Sequence, residues 1–231
     1  MNFNQFEILT FDCYGTLIDW ESGILSALKK LVEVGDKKID DDLLLELFAE
    51  FEAKAEGGEY RPYRKVLREV VEKIGEKLNF SPTETELNSL GNSVKKWQPF
   101  PDTVEALKAL KQKYKLGIIS NIDEDLFAET AKHLQVELDY VITAEKAKSY
   151  KPSLNNFEVA LQEIGIPKDK ILHVAQSIYH DITPAKSIGL SAVWVNRRKG
   201  KEGSGATLPA SAIPDLEVPD LKSLVSRING Q

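Results

Sequence analysis

The chain has 231 residues, 42% apolar and 29% charged, enough to bury a core and too few for several independent domains. Its 30 Lys and Arg against 36 Asp and Glu leave a formal charge of −6, the wrong sign for a duplex-binding surface. The single cysteine, Cys13, excludes an intramolecular disulfide and a cysteine-based zinc site, and no apolar run is long enough to cross a bilayer. In chain order, the first ten residues lack Lys and Arg, so no signal peptide is expected and the setting reads as cytoplasmic and reducing. Residues 6–11 (FEILTF) are a short apolar run of the kind buried on both faces of a parallel sheet. Similar runs recur at 116–120, 140–143, 171–175 and 192–195, with helical periodicity between them at 102–112, 124–134, 154–164 and 183–188. The alternation predicts an α/β fold, a Rossmann-like doubly wound parallel sheet with ligands at the carboxyl ends of its strands.

One interval breaks that rhythm. About a hundred residues separate the first strand from the second, where a crossover needs only ~10–12. Residues 18–97 read as about four helices with no strand, an inserted all-helical cap domain; the core domain is then 1–17 and 98–231. Gly57-Gly58 marks a break between cap helices, and Ser81-Pro82-Thr83-Glu84 reads as a capping box with Ser81 as N-cap. The Gly-rich stretch 200–206 reads as a flexible loop, because no Gly-Lys-Ser/Thr follows it to make a P-loop. Beside it, Arg197-Arg198-Lys199-Gly200-Lys201 reads as charge that solvates a loop. His173 is expected to be packed in its strand and His133 to lie on a helix surface. Trp97 and Phe100 are expected to pack the return from the cap, and Trp194 to be core.

The chemistry-bearing residues gather at the predicted strand ends. Asp12 follows the first strand in Asp12-Cys13-Tyr14-Gly15-Thr16-Leu17, where Gly15 permits a tight turn that brings backbone N–H groups near the carboxylate. Ser120 and Asn121 end the second strand and can hold an anionic group. Lys151, stiffened by Pro152, follows the third and supplies positive charge. Gln176-Ser177-Ile178-Tyr179-His180-Asp181 follows the fourth and adds a second carboxylate. Ser177, His180 and Asp181 carry the letters of a triad, but no Gly-x-Ser-x-Gly elbow surrounds Ser177.

The order and wording of these segments resemble the haloacid dehalogenase superfamily, whose core carries an Asp nucleophile after strand one. Asp12 to Leu17, Ser120-Asn121, Tyr150-Lys151-Pro152 and the helical cap resemble the type II 2-haloacid dehalogenases. FDCYGTLIDWE, FPDTVEALK, SNID, SYKP and ILHVAQSIYHDITPA are also similar to the L-azetidine-2-carboxylate hydrolases. The resemblance implies displacement of the 2-substituent of a small carboxylic acid through an ester on Asp12, most simply (S)-2-haloacid dehalogenation. Azetidine ring opening is the alternative, and a phosphatase of the superfamily comes third. Superfamily phosphatases carry a second Asp two positions after the nucleophile and hold Mg²⁺ with a further acidic residue. Tyr14 and Gln176 stand at those places, so no metal and no cofactor are expected. The implied catalytic set is Asp12, Thr16, Lys151 and Asp181, with His180 as the rival base. Substrate contacts are implied for Cys13, Tyr14, Trp20, Ser120, Asn121, Ser177, Tyr179 and His180, and family habit implies a homodimer. The cap arginine that receives halide in the dehalogenases has no counterpart near Phe48-Ala49-Glu50, leaving Arg61 and Arg64 as substitutes, and a dehalogenase Tyr is Phe157 here. These departures point to an amine as leaving group, for which Asp19, Trp20, Glu21 and Tyr179 are candidate neighbours.

Overall fold

The structure is a computed structural model that describes residues 1–32 and 39–230; residues 33–38 of the expected cap lie outside it. Six parallel strands form one sheet in the order β3-β2-β1-β4-β5-β6: β1 Ile8–Phe11, β2 Lys115–Ser120, β3 Tyr140–Thr143, β4 Ile171–Ala175, β5 Ser191–Val195 and β6 Leu216–Val218. The chain leaves β1 toward β2 and β3, then returns to lay β4 on the other side of β1. The strand order therefore reverses at the β1–β4 crevice, where an open α/β sheet binds its ligand. β1 and β4 are buried along their whole length, which explains their uninterrupted apolar character.

Between β1 and β2 come α1 (Trp20–Val32), α2 (Asp41–Ala55), α3 (Tyr63–Leu78), α4 (Glu84–Leu87), α5 (Ser89–Ser93) and then α6 (Thr103–Lys111). The expected fourth helix of the insertion is thus split in two. Its capping box belongs to Thr83 and Glu86, not to Ser81 and Glu84. Both pairs have the required spacing, but Pro82 lies against Gly75 of α3, which leaves Thr83 as the first residue free to start the helix. The remaining helices are α7 (Glu124–Leu134), α8 (Ala144–Ala147), α9 (Leu154–Ile164), α10 (Thr183–Ser187) and α11 (Leu221–Asn229). Asp123 ties the inserted helices to the sheet edge: its buried carboxylate accepts the free N–H groups of Tyr63 (2.7 Å) and Arg64 (3.0 Å) at the start of α3.

The basic stretch after β5 is solvated only in part: Lys199 and Lys201 are exposed, but the two arginines are not. Arg197 pairs with Asp102 at 2.8 Å and Arg198 with Glu21 at 2.7 Å, and both guanidinium groups are largely buried. These pairs draw the following segment inward, so that Ala206 and Thr207 are buried. Gly205 sits against Glu21 Oε1 with φ +65°, where a Cβ would lie 1.8 Å from that oxygen. Trp97 packs edge-on to Tyr14, Trp194 is half-buried with its indole N–H on the Gln176 carbonyl, and His133 reaches the Lys95 carbonyl. Among the described residues, no helix is long and apolar enough to cross a membrane.

Candidate active site

The turn after β1 aims Asp12 into the crevice. Gly15 adopts φ +93°, and a Cβ there would stand 2.8 Å from Trp20 Nε1, so the turn and the indole packed on it require glycine. Thr16 Oγ1 donates to Asp12 Oδ2 at 2.8 Å and accepts the Gln176 N–H at 2.8 Å, joining the β1 turn to the β4 turn. Lys151 lies between the two carboxylates. Its Nζ donates to Asp12 Oδ1 (2.9 Å), Asp181 Oδ1 (2.6 Å) and the Ile119 carbonyl (2.8 Å), which uses all three ammonium hydrogens. Asn121 fixes the lysine backbone: Oδ1 accepts the Lys151 N–H at 2.7 Å and Nδ2 donates to the Lys151 carbonyl at 3.0 Å.

Asp181 sits on a π-helical turn, Ile178–Ile182, that follows β4. His173 is not merely packed. Its Nε2 meets Asp181 Oδ1 at 3.0 Å and its Nδ1 meets Thr10 Oγ1 at 3.0 Å. Since a carboxylate only accepts, Nε2 carries a hydrogen and donates it to Asp181. Asp181 Oδ2 and His180 Nε2 are buried without a partner.

One ammonium cannot neutralise two buried carboxylates. Burial pushes Asp181 up, but Lys151 and His173 outweigh it and hold this carboxyl below the usual range. Burial also pushes Asp12 up; the pull of Lys151 is partly cancelled by repulsion from Asp181, and the Asp12 carboxyl ends above its ordinary value. Lys151 loses charge stability by burial and regains more from Asp12 and Asp181, so it stays cationic. Burial lowers His180 to about 4, which leaves it neutral at pH 7.

These groups line a narrow cavity of about 30 Å³ together with Tyr14, Trp20, Ser120 and Ser177. Tyr14 turns its hydroxyl away from Asp12, onto Thr130 Oγ1 at 2.7 Å. Two expected contacts are not there. Cys13 is fully buried outside the lining, and Tyr179 stacks edge-on against His180 instead of facing the cavity. The expected acidic neighbours of a leaving amine are also elsewhere: Asp19 bonds Ser22, and Glu21 is taken by Arg198. Arg61 bonds the Ala55 carbonyl and Glu69, and Arg64 bonds Asp125, so neither reaches the site. Lys151 is the only Lys or Arg among the described residues that line it.

The lining residues missed from sequence come mainly from the insertion. Glu52 and Glu56 of the α2 segment, Tyr63 of α3, and Thr207 after β5 complete the wall. Glu52 is 3% exposed and accepts the Tyr63 hydroxyl. Glu56 has a side chain 5% exposed and accepts Asn121 Nδ2 at 3.2 Å. Burial raises Glu52 to about 8, so this carboxyl is largely protonated at pH 7; burial and the neighbouring Glu52 also push Glu56 well above its ordinary value. A signal existed: Leu45, Phe48, Ala49, Glu52 and Glu56 fall on one helical stripe, with two acids at core-facing positions.

A family model described as haloacid dehalogenase-like hydrolase matches residues 6–189. Among characterised relatives, an (S)-2-haloacid dehalogenase of Pseudomonas putida is 28% identical over 227 residues, covering 93% of this chain and 94% of the relative. A haloacetate dehalogenase of Moraxella sp. (strain B) is 25% identical over 227 residues, covering 97% and 98%. Among solved structures, an L-2-haloacid dehalogenase from Xanthobacter autotrophicus with chloropropionic acid covalently bound superposes with a TM-score of 0.81 at 21% identity, covering 98% of this chain and 99% of the other.

Proposed function

Since the chain belongs to the haloacid dehalogenase-like hydrolase family, we propose that it displaces the 2-substituent of a small carboxylic acid, with an Asp12 oxygen as nucleophile. The observation that carries this reading is Lys151 Nζ seated between Asp12 Oδ1 and Asp181 Oδ1. That ammonium takes one oxygen of each carboxylate, and among the described residues no group of three or more His, Cys, Asp and Glu could hold a metal ion. The donor set also lacks the second acid of a phosphatase, because Tyr14 stands in its place with its hydroxyl on Thr130. These residues do not fit Mg²⁺, and the chemistry left to a bare carboxylate is attack on carbon.

In the first step the Asp12 oxygen bonds to C2, and the C2–substituent bond breaks with its electron pair on the substituent. Thr16 and Lys151 hold Asp12 oriented for this attack. Ser120 and Asn121 lie at the end of β2; the Ser120 hydroxyl lines the cavity and orients the substrate carboxylate, while the Asn121 amide is spent on the Lys151 backbone and Glu56 and holds that wall in place. In the second step water attacks the Asp12 carbonyl carbon, releasing a 2-hydroxy acid whose C2 has been inverted once. Asp181 Oδ2 and His180 Nε2, the two unpartnered acceptors of the site, are the groups available to take the water proton. A 2-haloacid is the substrate class its relatives suggest. The inserted helices of 18–97 serve as cap, supplying the wall opposite the nucleophile.

The test is a single turnover in H₂¹⁸O with (S)-2-chloropropionate. Label entering Asp12, and no turnover by Asp12→Asn, supports the ester route. Label appearing directly in the product, or turnover that requires added Mg²⁺, refutes it.

A further inference from the structure

Two spaces meet at Trp20. The residue is 7% exposed, and it lines both the cavity over Asp12 and an outer cleft of about 330 Å³. Among the described residues that line the cavity, it is the only one whose side chain carries neither an oxygen nor an ionisable nitrogen. Its indole is held in place. It stands edge-on to Phe48 of α2 with ring centroids 5.8 Å apart, and on another side a Cβ at Gly15 would lie 2.8 Å from its Nε1.

In-line displacement decides what meets that indole. With an Asp12 oxygen on C2 and the leaving group opposite, toward the cap wall, the three groups that stay on C2 spread sideways around the line of attack. The carboxylate goes to Ser120 at the end of β2, on one side of β1. The hydrogen and the carbon chain therefore point to the other side, where β4 and β5 end. Trp20 closes the cavity on that side: the cleft behind it is lined by Gln176, which follows β4, and by Arg197 and Arg198, which follow β5. Ser177 and Thr207, the neighbouring lining residues after β4 and β5, are polar. From this placement we propose that Trp20 is the specificity-determining wall for the carbon chain on C2. The site takes acids that carry only hydrogen or a methyl group there beside the leaving group, and the indole bars longer chains from the outer cleft. The inference rests on the Asp12 ester route above and adds the chain length of the acid to it. Only about 30 Å³ is free around the reacting groups, so a longer chain must displace an indole held by Phe48 and Gly15. Beyond the indole, Leu25, Leu45 and Phe100 offer apolar contact, and each methylene that reached them would gain affinity.

The experiment measures kcat/KM by chloride release for (S)-2-chloropropionate, (S)-2-chlorobutanoate and (S)-2-chloropentanoate. It compares wild type with Trp20→Leu, Trp20→Ala and Thr207→Ala. A single methylene in a fitted pocket shifts kcat/KM by about 10–200-fold, so wild type should lose at least about tenfold at each added carbon. Two carbons are then at stake in the pentanoate-to-propionate ratio, which should rise at least about 100-fold in Trp20→Ala. Trp20→Leu should fall between, and Thr207→Ala, which opens the wall beside it, should keep the wild-type ratio. Each ratio is taken within one protein sample, so partial misfolding cancels. If Trp20→Ala does not fold, Trp20→Leu and the wild-type series carry the comparison. Wild type that accepts chloropentanoate as well as chloropropionate overturns the assignment of Trp20. So does a ratio that no Trp20 variant moves, or one that Thr207→Ala relaxes instead. In each of those cases, label entering Asp12 from H₂¹⁸O during chloropropionate turnover leaves the ester route standing. Turnover of none of the three acids, with no label in Asp12, overturns both.

Discussion

Replacing Lys151 by methionine keeps most of the stem and removes the charge. At 2.9 Å from Asp12 Oδ1, a unit charge is worth about 6 kcal/mol at an effective dielectric of about 20. That corresponds to roughly four orders of magnitude in the ionised fraction of a carboxyl whose value burial has already raised. A protonated Asp12 cannot attack carbon. Turnover needs the ionised form, so activity is lost as pH falls through the Asp12 value, and a higher value moves that acid limb to higher pH. The expected result for Lys151→Met is a loss of at least about 10³ in kcat/KM at pH 7, with part of it recovered as pH is raised. Chloride release from 2-chloropropionate, followed from pH 5 to 10 beside the wild type, measures both. An acid limb that stays in place, or a loss under about tenfold, would show that the ammonium is not what ionises the nucleophile.

His173→Leu removes the donor at Asp181 Oδ1 while leaving Lys151 in place. A buried bond to a charged group is worth about 1.5–3 kcal/mol, so kcat should fall roughly tenfold to a hundredfold with KM little changed, and a larger change in KM than in kcat would place His173 in substrate binding instead. Glu52→Gln bears on stability. With its folded value near 8, against about 4.3 in a peptide, Glu52 binds more protons in the native state, and the wild type loses up to about 1.4 kcal/mol per pH unit across that window. The stability of Glu52→Gln relative to wild type should therefore rise from pH 5 to pH 8 in urea unfolding, and a pH-independent difference would mean that Glu52 is ionised at neutral pH.

The five main strands were legible because each is a short apolar run with helical periodicity on either side. β6 was not, since its three residues follow Pro214 and offer only Leu216 and Val218 as apolar signal. Asp12, Thr16, Ser120, Asn121, Lys151 and Asp181 could be found because each lies at a strand end or in the connection that follows it, and strand ends converge at one sheet edge. His173 could not be assigned from its own position in the middle of β4; its role depends on the π-helical turn that folds Asp181 back onto it. Glu52 and Glu56 lay farther from reach still, on a helix whose facing partner is set by long-range packing. Of the basic stretch at 197–201, Lys199 and Lys201 are solvated as expected, but Arg197 and Arg198 misled, because their partners, Asp102 and Glu21, are distant in sequence.

The size of the cavity bears on how substrate arrives. With only about 30 Å³ free around the reacting groups, the space is tight for a three-carbon acid, and entry is easiest where the wall parts at least cost. Trp20 separates the cavity from an outer cleft of about 330 Å³, and Thr207 separates it from another of about 360 Å³. Parting α2 and α3 from the sheet edge would break the Asp123 bonds to Tyr63 and Arg64 and the Asn121 bond to Glu56, all charge-assisted or buried. Swinging the segment that carries Thr207 breaks chiefly the long Ala206 N–H bond to Glu21, at 3.3 Å, and the Arg198 bond to the Glu202 carbonyl. Arg198 keeps its pair with Glu21 in that motion and can serve as its fixed end. Entry past Thr207 thus costs fewer and weaker bonds, and it leaves Asp12, Lys151, Asp181 and Glu56 in place around the arriving substrate.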